Sequence, residues 1–119
     1  MNMINSLVIE GNVAKEITTS ADEFGMQVGE LTISSSRFYK DSKGEMTEEK
    51  SFFDVVCYGM VADYYEKEAK LGRGIRVVGR LKQTTWTDSE GKKHSRVVVI
   101  AEHVEFKPMY KTKGGKKNG

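Results

Sequence analysis

The sequence holds one cysteine in 119 residues, so no disulfide can form within the chain. A lone thiol fits a reducing compartment, and a cytoplasmic location is expected. No apolar run approaches the length of a membrane span. The opening Met-Asn-Met-Ile-Asn-Ser lacks the basic segment and the longer apolar run of a signal peptide. The two histidines, His94 and His103, have no cysteine or histidine at ligand spacing, so no metal site is expected. A phosphate-binding glycine loop is missing, and Gly72-Arg-Gly74 reads instead as a helix stop. Carboxylates are plentiful but scattered, which leaves no visible pair for acid–base catalysis. Neither an enzyme nor a cofactor is expected. The single proline, Pro108, marks the end of one domain over residues 1–108. Residues 109–119 are lysine- and glycine-rich without apolar period, and read as a disordered basic tail.

What is present centres on Gly74 to Trp86, which reads as one long strand. Ile75, Val77, Gly79 and Leu81 share one parity; Arg76, Val78, Arg80, Lys82, Thr84 and Trp86 share the other. Alternate side chains point to opposite faces, so one face can bury while the other carries cations and the only tryptophan. Asp88-Ser-Glu-Gly91 turns the chain, and His94 to Ile100 returns as a valine-rich strand. On its own this ribbon is most simply an amphipathic hairpin with a solvated face. Its charge sharpens the reading. Residues 70–96 hold eight cations against two acids, whereas residues 1–30 hold one lysine against five acids. A near-neutral total therefore conceals a basic patch.

Taken in order, Ile4 to Val13 reads as a first strand with a bulge or bend at Gly11. Lys15 to Gly25 is polar and turn-rich. Met26 to Tyr39 reads as a second strand, with a bulge beside Gly29 where the apolar parity changes. Lys40 to Glu45 is a loop. Ser51 to Gly59 is a third strand, with Phe53, Val55 and Cys57 facing the core and Phe52, Asp54, Val56 and Tyr58 facing away. Cys57 reads as a small buried hydrophobe. Met60 to Leu71 is the one helix, with Val61, Tyr64 or Tyr65, Glu68 or Ala69, and Leu71 near one face. After the hairpin, Glu102 to Lys107 closes the sheet. The order fits an all-β OB-fold: a five-stranded, partly open Greek-key barrel with a helix between strands 3 and 4. An SH3-like barrel is the structural alternative.

The remaining chemistry is an aromatic set interleaved with cations. It comprises Phe38 or Tyr39, Phe52, Tyr58 and Trp86, with Arg37, Lys40, Lys50, Arg73, Arg80, Lys82 and Arg96. Bases stack on rings whatever their sequence, and cations meet phosphates. These residues point to non-specific binding of a single strand. The one helix is acidic at Asp63, Glu66 and Glu68, which is unsuited to entering a duplex groove.

Leu7 to Val13, Tyr39 to Met46, Phe53 to Gly59, the helix Met60 to Leu71, Gly79-Arg-Leu81 and Trp86 to Gly91 together resemble the bacterial single-stranded DNA-binding protein family. The likeness covers about residues 3–107. It implies an OB-fold, a homo-oligomer with a tetramer favoured, and the wrapping of single-stranded DNA in replication, recombination and repair. By position it puts stacking aromatics on Phe52, Tyr58 and Trp86, and a fourth on Tyr39 in preference to Phe38. The family's basic strand maps to Lys82 and Thr84, so Thr84 lacks one expected cation. Lys15 to Ser20 replaces the family's Asp-Pro-Glu stretch. The closing Lys-Lys-Asn-Gly differs from the family's acidic, apolar tail tip, so recruitment of repair proteins through such a tip is not implied. An RNA-binding OB module or a primosomal protein-interaction module would share parts of this pattern.

Overall fold

The computed structural model describes residues 1–108, with only the backbone course given for 60–63. The elements are β1 (Leu7–Ala21), β2 (Gln27–Lys40), β3 (Met46–Tyr58), α1 (Met60–Glu68), β4 (Gly74–Thr87) and β5 (Lys93–Phe106). The strands form a ring in the order β1-β2-β3-β5-β4, and β4 returns to β1. This is the OB-fold architecture. The ring is closed rather than partly open. Its thinnest seam is the parallel contact of β3 with β5, made by two pairs only, Val55–Val99 and Val56–Ile100. The expected basic tail lies outside the described residues.

Alternation fills the barrel. Ile33, Val55, Cys57, Ile75, Val77 and Val99 are fully or almost fully buried, and Tyr65 of α1 and Ala69 at its C-cap pack against them. The helix therefore buries the Tyr65 alternative and leaves Tyr64 exposed; it stops at Glu68 rather than at the expected Leu71, which is exposed beyond it. Cys57 donates to the Gly29 carbonyl at 3.6 Å, and burial pushes its thiol up to about 11. A thiol held so far above neutrality is not a nucleophile.

Two glycines permit the sharp coiling of a small barrel. A Cβ on Gly11 would lie 2.0 Å from the Ser34 carbonyl oxygen, and one on Gly79 would lie 2.0 Å from that of Ile100. Both distances are impossible, so the backbones could not approach with any side chain there. At Gly11 the strand β1 passes from β4 to β2, and it pairs with β2 as far as Ala21. The polar stretch from Lys15 is thus strand, with register shifts between Val13 and Thr18, rather than turn. Likewise β3 starts at Met46, and the last two sequence segments are one strand, β5. These extensions are held by backbone pairing; beyond Val13 only Ile17 of β1 packs against the core, too little apolar period to mark a strand. The bulge expected beside Gly29 is missing. The β2–β3 register is continuous from Val28 to Lys40, so Val28 simply points outward while Leu31 points inward.

The three hairpin loops share one design, Asp-x-x-Gly-x. In Asp22–Met26, Asp41–Glu45 and Asp88–Lys92, the aspartate Oδ1 accepts from the backbone N–H groups two and four residues on, at 2.8–2.9 Å. The glycine N–H donates to the aspartate carbonyl at 3.0 Å, with φ near +81°. Aspartate supplies the local acceptor and glycine the left-handed backbone.

Candidate nucleic-acid interface

A second apolar cluster lies outside the barrel. Val56, Val98 and Ile100 are almost fully buried and Val28 packs beside them. Val28, Val56 and Val98 form the floor of a cleft of about 460 Å³ whose walls include Tyr58 and Glu30 on one side and Thr84, Trp86 and Arg96 on the other. Beyond the barrel, β4 and β5 continue as a ribbon, and Trp86 stands on its inner face opposite His94. The indole is 47% exposed, so it is not a core residue. Leu81 is equally exposed, because the strand has left the barrel by that point and its apolar parity no longer faces a core.

The unbroken β2–β3 register puts Phe38 and Tyr39 on opposite faces. Tyr58, Phe52 and Phe38 lie on one face, opposite Val28, Ser34 and Glu48 in turn. Tyr39 has the other parity, and the Arg37 guanidinium lies over its ring at 5.8 Å. Tyr39, preferred by position, and Arg37 thus lie on the face opposite the one that holds Phe52. On that face Phe38 and Phe52 are each more than 60% exposed, and Lys40 and Lys50 alternate with them.

The cations sort into three kinds. Lys40, Lys50 and Lys82 make no ion pair among the described residues. Arg96 faces the cleft but is spoken for: its guanidinium reaches Glu30 at 3.1 Å and Asp54 at 3.2 Å. Arg80 stands at the root of the ribbon, 3.9 Å from Glu102, with one buried Nη1 lacking a hydrogen bond. Arg73 is elsewhere. It pairs with Glu68 at 3.1 Å, donates to the Lys107 carbonyl and covers the Phe106 ring at 5.2 Å. Its role is to tie the end of α1 to β5, and it leaves the candidate interface. Arg76, on the cationic parity, is also neutralised by Glu10 and Glu105. The basic patch is thus smaller than its formal charge.

Sequence reasoning missed Glu30 and Asp54 as partners of Arg96, and missed His94. The His94 ring stacks on Trp86 with centroids 5.4 Å apart and planes 19° from parallel. The signal was available in the loop arithmetic, since Trp86 and His94 stand two residues either side of Asp88–Lys92.

An OB-fold barrel with exposed rings and unpaired lysines along one outer face defines a class of oligonucleotide-binding barrels. The chain belongs to the single-strand binding protein family, whose family model matches residues 4–107. It is 38% identical over 104 residues to a single-stranded DNA-binding protein of Aquifex aeolicus, covering 87% of this chain and 70% of that one. It is 29% identical over 117 residues to a single-stranded DNA-binding protein of Wolinella succinogenes, covering 98% and 70%. Among solved structures, the fold matches a Plasmodium falciparum SSB complex with ssDNA at a TM-score of 0.80 and 18% identity, over 91% of this chain and 98% of that one.

Proposed function

We propose that the chain binds single-stranded DNA without reading its sequence, by stacking bases on Phe38, Phe52, Tyr58 and Trp86 and by holding phosphates with Lys40, Lys50 and Lys82. The observation that supports this most directly is the single outer face shared by these rings and lysines. Stacking contributes about 1–3 kcal/mol per base on OB-fold platforms, a range that includes proteins of this family. No side chain on the face is committed to a base edge. The role is binding rather than catalysis, in protecting single strands during replication, recombination and repair. No described helix is long and apolar enough to cross a membrane, and a cytoplasmic site of action suits such a role.

Titration of Trp86 fluorescence with dT oligomers tests the reading. Quenching, with affinity falling as salt rises, is expected; an unchanged signal with saturating dT would reject it. A matched rU oligomer that competes equally would favour the RNA alternative.

Self-assembly is part of the same reading, with a tetramer favoured. Met3, Ile4, Val8, Leu81 and Val97 are large apolar side chains left exposed in the single chain. Asn5 exchanges two hydrogen bonds with the Leu81 backbone at 2.8 and 2.9 Å, which brings the N-terminal segment beside the ribbon. A monomeric mass by sedimentation at micromolar concentration would reject assembly.

A further inference from the structure

Trp86 does not stand alone. The imidazole of His94 lies against it, nearly parallel. The Nε2 of His94 is 2.8 Å from Asp88 Oδ2. Asp88 is itself fixed, because its other oxygen accepts from the Glu90 and Lys92 N–H groups at 2.9 and 2.8 Å. The result is a chain of support running from loop to carboxylate to imidazole to indole. The hydrogen bonds of the loop hold Asp88, Asp88 holds His94, and His94 backs the ring. The same Asp-x-x-Gly-x loop occurs three times, but only this copy has a histidine at the facing position.

With Nε2 donating to Asp88, Nδ1 is the remaining ring nitrogen. Neutral, it is an acceptor; protonated, it is a donor with positive charge. A strand whose base stacks on the free side of Trp86 brings its phosphate to the same ribbon. We propose that His94 is a positioning and phosphate-contacting residue of the interface, which holds Trp86 flat and adds one titratable cation beside it. This deepens the proposed function and rests on it.

The charges around His94 allow the assignment. Asp88 is its direct partner. Arg96, next but one on the same face of β5, is already held by Glu30 of β2 and Asp54 of β3. Across on β4 the facing residues are Trp86 and Thr84, which do not titrate in the range concerned. Lys93 takes the opposite parity, and Glu90 and Lys92 lie in the loop. No other imidazole is near: His103 sits opposite Val78 and within 3.2 Å of Glu105 on the barrel wall.

The test compares salt slopes at pH 5.5 and pH 8 with a dT oligomer, since thymine and the phosphodiester do not titrate between these values. Protonated His94 adds one phosphate contact, so the slope of log K against log salt should be steeper at pH 5.5 by about 0.7. That corresponds to about a fivefold change in affinity between 1 M and 0.1 M salt. His94→Gln keeps a hydrogen bond to Asp88 but has neither ring nor charge, and should show one slope at both pH values. His103→Gln should behave as the wild type. In the free protein, a protonated imidazole against the indole quenches it, so Trp86 emission should rise with pH, and the rise should vanish in His94→Gln. Equal slopes in the wild type, or a pH-dependent slope retained in His94→Gln, would overturn the phosphate contact. A pH-independent emission in the free wild type would overturn the positioning role. If dT fails to bind or quench at both pH values, the site reading falls and takes the phosphate contact with it, while the free-protein titration still decides the stack.

Discussion

The β2–β3 hairpin leaves its cations without ion pairs among the described residues, whereas the β4–β5 hairpin ties down its three arginines, Arg76, Arg80 and Arg96. Both run out from the barrel as two-stranded ribbons. β1 accompanies β2 only to Ser34, and it accompanies β4 only to Gly79. An isolated two-stranded ribbon is marginal in water. The β4–β5 ribbon is fastened to the barrel by Arg96 on Glu30 and Asp54. The β2–β3 ribbon has no such strut among the described residues; its side-chain bond, Ser36 to Glu48, is internal. One ribbon is therefore a fixed wall with a braced ring, and the other is a free platform with Phe38, Phe52 and their lysines. Similar arms, built from the same loop, differ through a handful of polar contacts at their roots.

The largest expected effect lies on the fixed arm. Trp86→Ala should weaken dT binding by about 1–3 kcal/mol, the range for OB-fold stacking, and abolish the fluorescence signal as well. Binding would be followed by anisotropy of a labelled oligomer. A sharp fall in melting temperature with unchanged affinity would instead make Trp86 structural. On the free arm, Phe38→Ala should lose about 1 kcal/mol, at the low end of that range, while Tyr39→Ala should lose none. The reverse ranking would show that the strand runs along the other face of the arm.

The cations sharpen the contrast further. Lys82→Gln should flatten the salt slope by about 0.7, as one phosphate contact is lost. Arg96→Gln should change the slope less, because its charge already faces two carboxylates. Its effect should appear in hydrogen exchange: amides of residues 82–98 should come to exchange as fast as those of residues 35–51. If the two arms exchange alike before the substitution, the comparison fails.

The smallest effect is at Asp88. Its hydrogen bond to His94, then those from the Lys92 and Glu90 N–H groups, hold the carboxyl below its ordinary 3.8. A depressed carboxylate stabilises the fold above its unfolded value, and that stability disappears as pH falls through the folded one. The melting temperature of the wild type should therefore decline below about pH 4 slightly more steeply than that of Asp88→Asn, by calorimetry.

How far the sequence reached follows from what each feature depends on. The inward Val55 and Cys57 and the outward Phe52, Tyr58 and Trp86 were legible, since strict alternation within one strand needs no partner. The ends of β1 and β3 were not, because their residues are mostly polar and pairing is what marks them. Phe38 and Tyr39 could not be separated by alternation alone. Their faces depend on a register that stays unbroken past Gly29, which only the neighbouring strand reveals. Arg96 looked like a free cation because Glu30 lies 66 residues away in the chain and Asp54 lies 42 away. Arg73 misled in a simpler way: its partner Glu68 was near in sequence, but helix stop and ion pair leave the same glycines and charges on paper.

Cys57 turns the closed barrel into its own clock. The thiol follows immediately after Val55 and Val56, whose two pairs to β5 are all that close the ring on that side. It is 0% exposed, and burial leaves almost none of it as thiolate at neutral pH. A thiol reagent must wait until the barrel parts. Its labelling rate, with no second cysteine to confuse the signal, therefore counts openings of the seam. A strand lying across β3 and β5 would slow that count in proportion to its occupancy.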